Sequence, residues 1–384
     1  MSFMTRASLT ADGTKSSARS HAWLATWVGL IVGGYVAGNE ARCSELPTVP
    51  AANWDADKLG PRSSLSVAWI GHSLMEHQVD STWGRLDLMS LVGRFAESRK
   101  LSYAMTDHTL FGSPLSALWR GRPHSYARDA SAMVAKREAL VRDAARYDAI
   151  VLTEAIPLLG TMRTEFSAYY LRRFYCSVLA ANPLARVYLY QTWTHFQGSD
   201  RGQAKAPPHP FDWRGEMEAE RALWEELAET ARKPAVAAPT LLSRLGWKSI
   251  GDGGCTVEAP IFIVPVGDAL LALDERLRTP HPGDRFLWPD GRPLRMTDLV
   301  ENPLLPSTGG TAVLRDPSKP MDDIHPSLVG VYFSALVNFA TLYRQTPVGL
   351  PYPVELGPLA TALQCVAWNS VLRDTRAGVK GKSC

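Results

Sequence analysis

The sequence predicts an α/β protein built on a doubly wound, five-stranded parallel sheet with helices on both faces. Short apolar runs of strand length occur at 65–70, 102–106, 148–153, 186–191 and 261–264. Amphipathic helical spacing separates them, which is the alternation of a parallel sheet with crossover helices. Hydrophobic residues make up 46% of the 384-residue chain and charged residues 21%, a composition that buries a sizeable core. Crossovers in such sheets are right-handed, so few topologies remain.

The elements follow in order. Arg6, Lys15 and Arg19 precede an apolar run from Ala22 to about Gly38, with small residues around Ala41. At ~1.5 Å per residue that run spans about 25 Å, less than the ~30 Å hydrocarbon core of a bilayer. Residues 1–41 therefore read as a secretory signal or an uncleaved anchor, and the body of the protein is expected to be exported. Residues 42–64, with Pro47, Pro50, Gly60 and Pro61, read as a linker. The first strand, Leu65–Ile70, runs into Gly71; Trp83, Leu86, Met89, Val92 and Phe95 then predict a helix between 80 and 100. A strand near Ser102–Thr106 precedes Leu110-Phe111-Gly112, and a helix is expected over 130–146. Asp148–Thr153 is a strongly apolar strand. A helix over 164–181 stops at Asn182-Pro183, before the strand Arg186–Gln191.

Residues of about 194–258 form an insertion whose helix, 214–232, is amphipathic and strongly charged, as expected of a solvated face or part of a lid. Ile261–Val264 is the fifth strand, followed by a helix from Asp268 to Leu277. A proline-rich stretch leads to Met321-Asp322-Asp323-Ile324-His325-Pro326, and helices follow over 326–343 and 354–373. The domain is expected to span 65–346, with a helical extension over 347–384.

Composition excludes several classes of function. Lys plus Arg (41) and Asp plus Glu (38) leave a formal charge of +3, with no basic block for nucleic acid. The mean hydropathy of −0.11 excludes a multi-span transporter, so membrane contact is expected only through the N-terminal segment if it is uncleaved. Cys43, Cys176, Cys255, Cys365 and Cys384 include no C-x-x-C pair, and their pairing is open. Glu76 and His77 near His72 do not repeat a recognised ligand spacing, so no metal is expected.

In doubly wound sheets ligands bind beyond the carboxyl ends of the strands, which directs attention to the residues just after each one. Gly71-His72-Ser73-Leu74 follows the first strand. A serine turning into a helix suits a nucleophile, because the helix-terminal N–H groups favour developing negative charge; a plain helix cap is the simpler reading. Gly112 follows the second strand, where its N–H can contribute to an oxyanion hole or merely make a turn. An aspartate three or two residues before His325 can orient the imidazole, freeing its other nitrogen to take the serine proton; acids capping the next helix would look the same. At this point Asp322 and Asp323 are equal candidates. His72, Glu154 and Trp193 also fall at strand ends and are candidates to line the cleft.

Taken together, Gly71, Ser73 and Leu74, then Gly112, then Asp322 and His325 resemble the motif order of the SGNH or GDSL hydrolase family. The resemblance extends over roughly 65–345. It implies a flavodoxin-like sheet and a catalytic set of Ser73, His325 and Asp322, and so selects Asp322 over Asp323. It also implies Ser73 and Gly112 N–H groups as oxyanion donors, and no cofactor. Two positions depart from the pattern: His72 replaces the usual Asp or Asn, and Glu154 stands where an oxyanion-binding Asn is expected. An ionised Glu donates no hydrogen bond. Glu154 therefore points elsewhere, or is protonated, or Thr153 or another group substitutes, or the hole has two donors only.

The expected function is an exported serine esterase acting on a small-molecule or glycan ester, an O-acetyl group among the options. An O-acyltransferase using the same residues, or a non-catalytic glycan- or partner-binding protein of this fold, are the alternatives.

Overall fold

A computed structural model describes residues 60–121, 130–196, 212–233, 259–300 and 324–384. The N-terminal segment lies outside them, and none of the helices within them is long and apolar enough to cross a membrane.

In chain order, β1 (Ser64–Gly71) leads into a one-turn helix, α1 (Ser73–Glu76), and then a small antiparallel hairpin, β2 (Val79–Ser81) and β3 (Gly84–Leu86). Next come α2 (Leu88–Ser98), β4 (Ser102–Thr109), α3 (Leu115–Arg120), α4 (Ala130–Asp143) and β5 (Ala149–Leu152). The middle of the chain holds α5 (Leu158–Glu165), α6 (Ser167–Ala181), β6 (Arg186–Tyr190), α7 (Trp213–Arg232), β7 (Ile261–Val264) and α8 (Val266–Arg278). The chain ends with α9 (Leu328–Tyr343) and α10 (Leu359–Arg373).

The large sheet is parallel throughout, in the order β4-β1-β5-β6-β7. This is the expected doubly wound α/β architecture. Successive side chains of a strand face opposite sides, so the buried strands β1, β5, β6 and β7 feed two cores, while the edge strand β4 is largely exposed. Val67 and Trp69 of β1, Val151 of β5 and Tyr188 and Tyr190 of β6 face α2, α8, α9 and α10. Ala68 and Ile70, Ile150 and Leu152, and Val187 and Leu189 face α3, α6 and α7 on the other side. This two-sided burial explains why these strands read as nearly continuous apolar runs.

Three expectations change. Residues 79–86 are the β2–β3 hairpin, and the helix expected from 80 starts only at Leu88. Gly84, at φ +85°, supplies the left-handed turn conformation. Asp87 then caps α2 by accepting from Ser90 N at 2.7 Å, with Ser90 answering in a capping box. The charged helix α7 is neither a lid nor a solvated face alone. Met217, Trp224, Leu227 and Ala231 are buried, and α7 packs on α6, α8 and β7. Lastly, α10 opens at Leu359, after a short 3₁₀ turn over Val354–Leu356; both pack into the core shared with β1 and α9.

Candidate active site

The carboxyl end of β1 reaches Gly71, where a Cβ would meet Thr153 Cγ2 at 2.5 Å and Met75 Sδ at 3.1 Å. Only glycine lets the ends of β1 and β5 close on each other here. The chain then turns through His72, which occupies the cap position of α1 without a side-chain capping bond, so Ser73 is the first residue of the helix and not its cap. Its hydroxyl is thereby free of a capping role. Ser73 Oγ lies 2.9 Å from His325 Nε2, a contact between buried groups 252 positions apart in sequence.

Several features hold His325 there. Trp193, three residues beyond β6, donates its Nε1–H to the carbonyl of Ile324 at 2.9 Å. Beyond the histidine, Ser327 N donates to Leu299 O at 3.0 Å and Ser327 Oγ to Asp298 O at 2.6 Å. Ser327 also caps α9, accepting from Gly330 N. The imidazole stacks with the ring of His77, at 4.8 Å and 24°, and with that of Phe111, at 5.5 Å and 23°. The next residue, Gly112, has φ +64°, a conformation that glycine adopts without strain.

Ser73, Glu76, His77, Gln78, Arg85 and Phe111 line a depression of about 360 Å³. His72, Glu154 and Trp193 do not line it, contrary to the expectation for the cleft. All three are buried beneath the sheet edge: His72 Nε2 contacts Glu154 O at 3.0 Å, and Trp193 supports the Ile324 carbonyl. The Glu154 carboxyl is fully buried and turned to the start of α3, where Oε1 accepts from Leu115 N at 3.1 Å and from Ala155 N at 2.8 Å. Burial pushes it up to about 7, while the N–H groups of Ala155 and Leu115 and the nearby Ser167 hydroxyl resist that rise. Of the readings open for this residue, the one in which it points elsewhere is what the hydrogen bonds show.

Asp322 and Asp323 lie outside the described residues. Among the described residues, no group of three or more His, Cys, Asp or Glu is gathered in a way that would hold a metal ion. Sequence reasoning passed over Phe111, Arg85 and Gln78. Phe111 had one available signal, its place immediately before Gly112. Arg85 had none, because its position depends on the hairpin that periodicity hid.

No family model matches the sequence, and no curated protein matches it. Solved structures with some likeness include a DUF4886 family protein from Bacteroides uniformis, at 16% identity over 80% of this chain and 95% of that one, with a TM-score of 0.40. An acetyl-xylooligosaccharide esterase from Geobacillus is similar at 12% identity over 74% of this chain and 95% of that one, with a TM-score of 0.35. A carbohydrate acetylesterase from Sinorhizobium meliloti is similar at 13% identity over 43% and 80%, with a TM-score of 0.27. Likeness at this level assigns this chain no activity.

Proposed function

We propose that the protein is a serine esterase of SGNH type, exported from the cytoplasm, that cleaves an acyl ester. The observation that carries the reading is the 2.9 Å approach of His325 Nε2 to Ser73 Oγ at the carboxyl edge of the sheet, beside an open depression. In this reading Ser73 Oγ attacks the ester carbonyl as His325 Nε2 takes its proton. The same nitrogen then protonates the leaving alcohol, and water repeats the sequence to release the acid. Asp322 is assigned, from its position three residues before His325, to hold the other imidazole nitrogen. The N–H groups of Ser73 and Gly112 are assigned to the oxyanion. The inward turn of Glu154 supports this assignment, since its carboxyl is engaged by two backbone donors instead of facing the developing charge. An O-acetyl group on a glycan is the substrate we favour, because the depression combines polar side chains with the half-exposed ring of Phe111.

The test is intact-mass analysis after exposure to a fluorophosphonate. A single adduct is expected on the native sequence and none on Ser73→Ala. An adduct that persists in Ser73→Ala, or no adduct on the folded native protein, rejects the assignment.

A further inference from the structure

Cys176, buried in α6, is disulfide-bonded. Cys365 and Cys384 are thiols. They belong to the C-terminal extension, well apart from the Ser73 depression in the sequence, and the structure brings them together. After α10 the chain turns at Asp374 through a 3₁₀ turn over Thr375–Ala377 and runs back along the helix it has just left. Ala377 and Val379 are buried along this path. Trp368 Nε1 donates to Lys382 O at 2.7 Å, and at Gly381 a Cβ would meet the Trp368 ring at 2.6 Å. Glycine is what allows the tail to lie flat on the indole.

Asn369, one turn beyond Cys365, then clamps both cysteines. Its Nδ2 donates to Cys365 Sγ at 3.6 Å and its Oδ1 accepts from Cys384 N at 3.0 Å. Cys384 Sγ in turn lies 3.8 Å from Cys365 O, and the two thiols are within hydrogen-bonding reach of each other.

We infer that Cys365 and Cys384 are a disulfide site, and that the bond tethers the C-terminal tail to α10. In forming it the two thiols lose two protons and two electrons as one S–S bond is made. A protein dithiol oxidoreductase in its disulfide form, or glutathione disulfide in vitro, accepts them and leaves as two thiols. Burial and the neighbouring Cys365 push the Cys384 thiol up to about 12. Export to an oxidising compartment, proposed above, supplies the setting in which such a bond persists.

The test takes the full chain equilibrated with glutathione disulfide, alkylates the remaining thiols and digests with trypsin without reduction. The peptide Gln345–Arg373 is expected to carry Ser383–Cys384 through a disulfide, and the linked species is expected to vanish in Cys384→Ser. Closing this short loop is expected to raise the melting temperature of the oxidised native protein about 4 °C above that of oxidised Cys384→Ser, the Cys176 bond being intact in both. Alkylation of both thiols, or either sulfur found only with glutathione or with another cysteine, overturns the site. A linked peptide with no difference in melting temperature overturns the tether.

Discussion

Glu154 shows how one side chain changes its meaning with its surroundings. As a letter in the sequence it stands where an oxyanion donor is expected; in the structure it closes the start of α3 by accepting two backbone hydrogen bonds. Its raised titration carries a consequence for stability. A carboxyl at about 7 in the folded protein, against an ordinary value near 4.5, binds its proton more tightly folded than unfolded. Folding stability therefore falls as the pH rises through that window and is level above it. The full effect is about 3 kcal/mol for a group so placed. Glu220, which accepts from Leu158 N at 3.2 Å and is also pushed up to about 7 by burial, acts in the same direction. Glu154→Gln keeps an acceptor for Leu115 and Ala155 but cannot ionise. Buried His108, pushed down to about 4, acts in the opposite direction. Removing the Glu154 contribution should make the change of melting temperature from pH 4.5 to pH 8 less negative in this variant than in the native protein, and an unchanged slope would sink the assignment. Trp193 is the second case at this scale, since its indole touches the backbone next to His325 and not the depression. Trp193→Phe preserves the ring and loses the donor, so kcat/KM for an ester should drop about tenfold through misplacement of the imidazole. Folding, followed by circular dichroism, should be little changed.

At the scale of the element, the approach of α9 to the loop before it decides where His325 sits. Gly330, in the first turn of α9, lies so close to the Leu299 carbonyl that a Cβ would collide with it, and Pro326 Cβ stands at 3.0 Å on another side. Neither obstacle is the free end of a flexible side chain. Gly330→Ala should push α9 away from residues 298–300, breaking the Ser327–Leu299 bond and moving His325 with it. We expect a loss of at least about 2 kcal/mol by chemical denaturation together with a large fall in activity. A variant of native stability and full activity would show that the contact is not limiting. The β2–β3 hairpin belongs to this scale as well. Two strands alone are marginal in water. Here Glu355, from the 3₁₀ turn before α10, accepts from Thr82 N at 2.5 Å and Thr82 Oγ1 at 2.7 Å, pinning the turn that presents Arg85 to the depression.

For the molecule as a whole, the C-terminal extension is integral to the domain core. Arg376 pairs with Asp268 at the start of α8, with Glu225 of α7 at 2.8 Å, and with Asp374. One guanidinium thus joins three parts of the chain, and the three carboxylates raise its affinity for its proton against the opposing effect of burial. Arg376→Ala leaves Asp268 with Arg221 at 2.8 Å and leaves Asp374 without this cation. The expected cost is about 3 kcal/mol, characteristic of removing one partner from a largely buried ionic network. Denaturant unfolding checks it, and a cost below about 0.5 kcal/mol would class the network with exposed surface pairs.

The chain order of strands and helices was legible in the sequence because β1, β5, β6 and β7 are buried on both faces and read as apolar runs, whereas the largely exposed edge strand β4 left a weaker trace. Ser73 and Gly112 could be singled out because a doubly wound sheet exposes the residues just after its strands, and His325 because aspartates stand two and three residues before it ahead of the last helices. Local pattern could not show that residues 79–86 form a hairpin, since Trp83 and Leu86 keep a three-residue spacing whether or not a helix forms. It also could not show that Trp224 is buried among its charged neighbours, because burial of α7 depends on α6, α8 and β7 being present. The sequence by itself determined which residues form the sheet and which fall at its carboxyl edge, through periodicity that each segment carries alone. Only the tertiary structure decided that Glu154 faces α3, that Trp193 supports the histidine loop, and that Cys384 rests beside Cys365. These are contacts between segments far apart in the chain, and close packing of their side chains and backbones selects them.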